Sequence, residues 1–369
     1  MIAPTHDRHD WYGLSRRIKQ WGADLGLDAV GIADTDLTRE EECLDHWLKE
    51  GHHGGMEYMA RHGHKRSRPA ELQPGTLRVI SARLDYLPQP QELSRALLED
   101  PQQAFIARYA LGRDYHKLLR KRLQQLTTKI HNEVGAGTCR VYVDSAPVLE
   151  KPLARKAGLG WIGKHTNLVA REAGSWFFLG EIYTDLPLPP DLPARDHCGR
   201  CRACIEICPS RAIIAPYRLD ARRCIAYLTI EHRGCIPEAL RSAIGNRIFG
   251  CDDCQLACPW NRFARLTREL DFRPRESLDN ATLLQLFAWN ETEFLRRTEG
   301  SAIRRLGHER WLRNIAVALG NGPASRESIA ALHGRLEDPS PLIREHVAWA
   351  LHRLLAPQAV PEAAQDPTQ

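Results

Sequence analysis

Two short runs of cysteine constrain this chain more than anything else in its 369 residues. "CGRCRACIEICPSRAI" (198–213) holds four cysteines and "CDDCQLACPW" (251–260) three, and in each the last is followed by proline. Thiolates at successive two-residue spacings ending in Cys–Pro form the ligand pattern of a bacterial two-cluster ferredoxin, in which the final cysteine of each run crosses to the other cluster. A structural zinc site is built instead from two separated cysteine pairs. Crossing the runs assigns Cys198, Cys201, Cys204 and Cys258 to one 4Fe–4S cluster. Cys208, Cys251 and Cys254 go to the other, which is one thiolate short because Ile248 stands where a cysteine would be. Cys224 and Cys235 are the candidates for the missing ligand. Two adjacent clusters make a wire, and a wire implies an acceptor that takes electrons singly at low potential. That acceptor is expected where residues 1–185 meet the cysteine module.

The remaining cysteines and the composition fit this reading. The first residues, "MIAPTHDRHDWYG", hold no apolar signal core, and no apolar run is long enough to span a bilayer. A cytoplasmic protein with no membrane association is expected, one whose cysteines serve metal rather than disulfides. Net charge is only +5, but after Lys164 every basic side chain other than histidine is arginine, which suits bidentate phosphate contacts and also follows from a GC-rich genome.

Residues 1–185 alternate helical periodicity with strand-like runs ("AVGIA", "LRVISARLDYLP", "RVYVDSAP", "FFLGEIYTDL"), which predicts an α/β domain with a long basic amphipathic helix over 113–129. "TDLPLPPDLPARDH" carries four prolines and reads as a connector. The cysteine module spans 186–262. Helices follow over 263–356, where "NIAVAL" (314–319) recurs as "HVAWAL" (346–351), a period of 32 residues that resembles helix-pair repeats. Residues 357–369 are too polar to pack and are expected to be disordered. Asp144, between the strand "VYVD" and the predicted helix after "SAP", is placed to cap that helix.

Several stretches together resemble the epoxyqueuosine reductase family: "GMEYMARHG", "RYALGRDYHKLLRKRL", "VDSAPVLEKPLARKAGLGWIGKHTNL", "DARRCIAYLTIE", "GNRIFGCDDCQLACPWN" and "GSAIRRLGHERWLRNIAVALGN". The resemblance runs from about residue 10 to 355. It implies a nitroreductase-like α/β domain holding base-off cob(II)alamin, a ferredoxin-like domain with two 4Fe–4S clusters, and a HEAT-like helical repeat that docks tRNA. It also implies a monomer supplied by a low-potential donor of ferredoxin or flavodoxin type. Within "RRCIAYLTIE" the family's cysteine is a ligand, so the resemblance assigns Cys224 to the second cluster and leaves Cys235 free.

The activity so implied is reduction of the epoxide of epoxyqueuosine, at the wobble position of tRNA, to the alkene of queuosine. Reduced cobalamin would open the epoxide at carbon while an acid protonates the oxygen, and Asp144 matches the family's proton donor. Burial against the corrin would keep that carboxyl protonated. Arg61, Tyr109, Gly163, Lys164, His165, Thr166, Leu168, Ala226 and Tyr227 are the implied cobalamin contacts, with Ala226 standing where the family often has serine and His165 where it often has asparagine. Arg233, Arg304, Arg305, Arg310 and Arg313, with the basic helix, are the implied phosphate contacts. Two other readings use the same cysteines. Corrinoid reductive dehalogenases share the layout but are exported behind a twin-arginine signal and lack the helical tail; a nucleic-acid-binding repeat protein would carry its clusters only as structure.

Overall fold

The computed structural model describes residues 10–356, so the tail expected to be disordered lies outside the described residues. All four strand-like runs are strands: β1 (Ala29–Ala33), β2 (Arg78–Asp85), β3 (Cys139–Tyr142) and β4 (Phe177–Thr184). They form one sheet in the order β1–β2–β4–β3, antiparallel throughout. Mixed helix and sheet were expected here, but without parallel neighbours the sheet is of the α+β kind, its strands joined by connections that reverse direction.

Strand β4 is central and buried along its whole length, which explains why "FFLGEIYT" is almost continuously apolar. Helices α1 (Trp11–Asp24) and α2 (Tyr115–Val134) cover one face. Leu119, Leu123, Leu126 and Ile130 of α2 pack there with Ile32, Ile80 and Ile182. Gly180 makes this approach possible, because a Cβ at that position would stand 2.8 Å from Leu123. The opposite face carries helix α3 (Glu150–Lys156), whose Leu153 and Ala154 pack with Val79, Leu179 and Tyr183. Side chains alternate along β4, so Glu181 points to this second face with Leu179 and Tyr183.

The C-terminal helices are not set apart. Trp311, Leu312, Ile315 and Leu319 of helix α4 (His308–Asn321) share one core with Ala104, Ile106, Ala110 and Leu111 of the sheet region and with Ile248 and Phe249 beside the second cysteine run. The recurring segments "NIAVAL" and "HVAWAL" lie on α4 and on α5 (Pro341–Leu355), which pack together where Gly320 meets Ala350. No helix among the described residues is long and apolar enough to cross a membrane.

One polar joint ties these parts. Arg313 is fully buried on α4, and its guanidinium donates to the carbonyls of Leu228, His232 and Gly234 at 2.7–2.8 Å. Asn314 donates to the carbonyls of Thr229 and Ile248, both at 2.8 Å. The expected role of Arg313 as a phosphate contact is therefore corrected: its donors are spent inside the protein, and burial lowers its pKa to about 10. Arg313→Met should strip partners from several buried carbonyls, each costing about 1–3 kcal/mol. The melting temperature of anaerobically purified protein should fall sharply, whereas Arg304→Met, at an exposed site, should leave it unchanged.

Candidate active site

The peptide held by Arg313 and Asn314 is a single π-helical turn, Tyr227–Glu231. Such turns widen the backbone locally and present side chains that an α-helix would not. This one forms part of the wall of an open cavity of about 710 Å³, within the range of small-molecule sites. The cavity lies where the three parts of the chain meet. The sheet region supplies Tyr58, Arg66, Tyr109, His116, Asp144 and Phe178; the cysteine module supplies Cys224, Ala226, Tyr227 and Glu231; the helical region supplies Arg305, Leu306 and Arg310. One wall is aromatic: Tyr115 stacks on Phe178 with ring centroids 3.7 Å apart, and Tyr109 stands against Phe249.

Asp144 faces this space from a loop. Helix α3 begins only at Glu150, so Asp144 does not cap it. Its backbone is left-handed, with φ of 49°, a conformation that aspartate and asparagine tolerate better than most residues. Two contacts hold it. Its backbone N–H donates to Glu150 Oε1 at 2.6 Å, and its Oδ2 lies 3.0 Å from His116 Nε2. Against the protein alone 52% of its side chain is exposed, so any further cover of this carboxyl has to come from a bound group. His116 is fixed from its other ring nitrogen by Asp114, the N-cap of α2. Burial alone would lower the pKa of His116, but bonds to Asp114 and Asp144 outweigh it and raise it to about 9. Asp114 is held well below the ordinary carboxylate range: its bonds to His116 overcome the effect of burial.

Behind Asp144 lie two further carboxylates. Burial, reinforced by the charge of Asp144, raises Glu150 to about 7. Glu181 is fully buried against Glu150, and burial followed by repulsion from that neighbour pushes it well above the ordinary range.

The cysteines form two groups. Cys198, Cys201, Cys204 and Cys258 line a small cavity of about 210 Å³ with Lys164, His165, Trp260 and Arg262. Lys164 donates to the carbonyls of Gly199 and Cys201 at 2.6 and 2.9 Å. Cys208, Cys224 and Cys254 make up the second group: burial raises Cys254 first, and the charges of Cys224 and Cys208 raise it further. Cys251 stands just before the short helix Asp253–Leu256 that bears Cys254, and donates to Asp253. Cys235 is elsewhere, exposed beside Glu345 and His346. Crowded thiols of this kind oppose one another's ionisation, a cost that metal binding removes. Cys224 belongs both to the second group and to the wall of the large cavity.

Tyr109, Asp144, Ala226, Tyr227, Arg233, Arg305 and Arg310 thus converge on the cavity. Arg61 is exposed and does not line it, and Arg304 is exposed outside it, bonded to the Leu295 carbonyl. Gly163, Lys164, His165, Thr166 and Leu168 do not line it either. Lys164 and His165 stand at the first thiol group, because the hairpin Trp161–Val169 folds toward it. Sequence reasoning did not single out Arg66, His116, Glu150 or Glu181. A glutamate inside the apolar run "FFLGEIYT" was the legible signal for the last.

The fold and site define a class: an iron–sulfur oxidoreductase whose cysteine module opens onto a ligand cavity. Residues 197–261 match the family described as "4Fe-4S double cluster binding domain", and residues 66–145 match "Epoxyqueuosine reductase QueG, DUF1730". The epoxyqueuosine reductase of Pseudomonas aeruginosa is 61% identical over 342 residues, covering 92% of this chain and 94% of that protein. A crystal structure of epoxyqueuosine reductase with an epoxyqueuosine-modified tRNA-Tyr stem loop superposes with a TM-score of 0.84 at 27% identity, over 94% of this chain and 91% of that one. The Bacillus subtilis enzyme, solved with an aspartate-bearing catalytic loop swung out of its active site, gives a TM-score of 0.85 at 27% identity over the same shares. The chain belongs to the epoxyqueuosine reductase family.

The grouping of thiols makes a prediction about metal. Anaerobically purified Cys224→Ala should carry about four irons instead of about eight, while Cys235→Ala keeps the full complement, as counted by iron assay and electron paramagnetic resonance. Loss of a cluster in Cys235→Ala would reverse the assignment.

Proposed function

We propose that the large cavity is where electrons and protons meet the modified base of a tRNA. The enzyme reduces the epoxide of epoxyqueuosine in tRNA to the alkene of queuosine; two electrons and two protons enter and water leaves. The observation that carries the site assignment is that Cys224 and Asp144 line one cavity, so an electron source and a proton source face the same space.

Cys198, Cys201, Cys204 and Cys258 would hold one 4Fe–4S cluster and Cys208, Cys224, Cys251 and Cys254 the other. Such clusters pass electrons singly from an external low-potential donor. The cavity fits a corrin: Tyr109, Phe178, Phe249 and Leu306 offer apolar surface to a flat macrocycle, while Arg66 and Glu231 offer partners for polar side arms. Cobalamin bound there supplies a reducible, strongly nucleophilic cobalt centre.

The chain's own residues manage the proton. Asp144 delivers it to the epoxide oxygen as the ring opens, since alkoxide is a poor leaving group near neutral pH. His116, charged below pH of about 9, holds Asp144 Oδ2 in place and keeps a proton on the pair. Asp114 fixes the ring. The catalytic aspartate loop of the Bacillus subtilis relative supports this role, since Asp144 also lies on a loop held by a few contacts. Arg233 and Arg305, at the cavity, and the exposed Arg304 beside them form the phosphate-binding rim. The tRNA stem loop bound by a relative supports that surface.

Asp144→Asn preserves shape and tolerates the left-handed backbone, so the protein should fold and keep its clusters. Conversion of epoxyqueuosine in tRNA, followed by nucleoside mass spectrometry, should slow at least about a hundredfold. A rate near that of the unaltered enzyme would remove Asp144 as the acid. Reversing Arg233 and Arg304 to Glu should weaken tRNA binding and lower the slope of log affinity against log salt by about 2. An unchanged slope would take both residues out of the interface.

A further inference from the structure

The reaction consumes two protons at one oxygen, the first as the ring opens and the second as the resulting hydroxyl leaves as water. The Asp144–His116 pair accounts for one. We propose that Glu150 and Glu181 form an internal proton store that supplies the second, passing it to Asp144 after the first transfer. The proposal rests on the reading of Asp144 as the acid.

Glu181 is the observation that needs an explanation. It is fully buried in the middle of β4, opposite Ser81 of β2 and Tyr142 of β3, and neither carboxylate oxygen has a hydrogen-bond donor. An isolated buried carboxylate is so costly that such a group keeps its proton. Its contact is Glu150, another carboxyl, and two carboxyls in contact share a proton readily because both cannot be ionised. Glu150 in turn holds the Asp144 backbone N–H. Glu150 thus stands between the buried glutamate and the loop that faces substrate.

The charged and titratable groups around the pair do not discharge it. Lys151 adjoins Glu150 on α3, but its ammonium donates to the Thr166 carbonyl and the Asn167 side chain. Arg66 lies within electrostatic reach of Glu150, but bonds to the Tyr58 carbonyl. Tyr142 and Tyr183 flank Glu181 as neutral phenols, each raised above its ordinary pKa by burial. Burial and then the charge of Asp144 raise Glu150, the Asp144 backbone N–H and the charges of Lys151 and His116 lower it, and the outcome is about 7. Glu150 is therefore about half protonated near neutral pH beside a protonated Glu181, and the pair refills from water between turnovers.

The balance is complete without a new reactant. One proton leaves Asp144 for the epoxide oxygen as the C–O bond breaks. One then passes from the Glu150–Glu181 pair, by way of solvent because the bond between Glu150 and Asp144 is to the backbone N–H, to the Asp144 carboxylate and on to the hydroxyl, which departs as water; the two electrons are those of the reaction itself.

The test is single-turnover reduction of epoxyqueuosine tRNA by reduced holoenzyme, from about pH 6 to about pH 9, for the unaltered enzyme, Glu150→Gln, Glu181→Gln and Asp144→Asn. In the unaltered enzyme the rate should fall as pH rises through about 7, the value of Glu150, because the donor is lost when it ionises. Glu150→Gln keeps the acceptor for the Asp144 N–H but has no proton to give. It should be slower by about tenfold or more at the low-pH end and should lose that limb. Glu181→Gln, which replaces an already neutral group by a neutral one of the same shape, should fold and slow turnover with the limb retained. Infrared spectroscopy supplies a readout independent of turnover: a protonated-carboxyl band should persist at neutral pH and lose the contribution of one carboxyl in Glu181→Gln. Glu150→Gln with an unchanged rate and pH profile, or no protonated-carboxyl band in the unaltered protein at neutral pH, would overturn the proposal. If Asp144→Asn is slow while both glutamate variants behave as the unaltered enzyme, only the store fails. If Asp144→Asn is fast, the acid assignment fails, and the store with it.

Discussion

The buried guanidinium of Arg313 is the constraint on which the site depends. It gathers the carbonyls of Leu228, His232 and Gly234 while Asn314 takes those of Thr229 and Ile248. These bonds satisfy backbone that a π-turn and its following loop would otherwise leave unpaired in the interior. They fix the wall bearing Ala226 and Tyr227 to a helix from a distant part of the chain. With one shared core running from Ala104 to Leu351, the helical region stands as a wall of the active site rather than an appendage.

The cavity this creates separates two kinds of chemistry. On the cysteine side, burial and then the neighbouring thiols raise the pKa values of Cys204 and Cys254, a cost to ionisation that metal binding offsets. On the sheet side, carboxyls and an imidazole are arranged so that protons stay available near neutral pH: Asp114 is pinned as an anion, His116 is kept charged, and Glu150 and Glu181 are pushed the other way by burial. Neighbouring titratable groups with pKa values driven apart in this manner are characteristic of sites that run acid–base steps.

Much of this was legible in the chain. The spacing of cysteines and their terminal prolines specified one four-thiol group and three thiols of a second, because a cubane's geometry allows few loop lengths between ligands, while the eighth thiol came only from the family resemblance. The four strands were readable as short runs of apolar and β-branched residues, and α2 as a 3.6-residue stripe. Sheet direction was not readable: strand runs separated by helices suit parallel or antiparallel pairing alike until the connections are seen. The stretch "AGLGWIGKHTNL" likewise revealed its glycines but not the direction of its hairpin, and so Lys164 and His165 stand at the first thiol group instead of the large cavity.

By itself, then, the sequence determined the two cysteine runs, the elements and the presence of Asp144 at a strand end, because each depends on local spacing and backbone preference. Tertiary structure alone decided which arginines face solvent, since Arg304 and Arg313 lie nine residues apart with opposite fates, one exposed and one sealed among carbonyls. It also decided the partners of Asp144. His116 and Glu150 come from either side of it in the chain, and Glu181 from a neighbouring strand. Only the packing of α2 and α3 on opposite faces of the sheet, converging at the end where Asp144 leaves it, brings their charges within reach of one another, where burial makes those charges strong enough to matter.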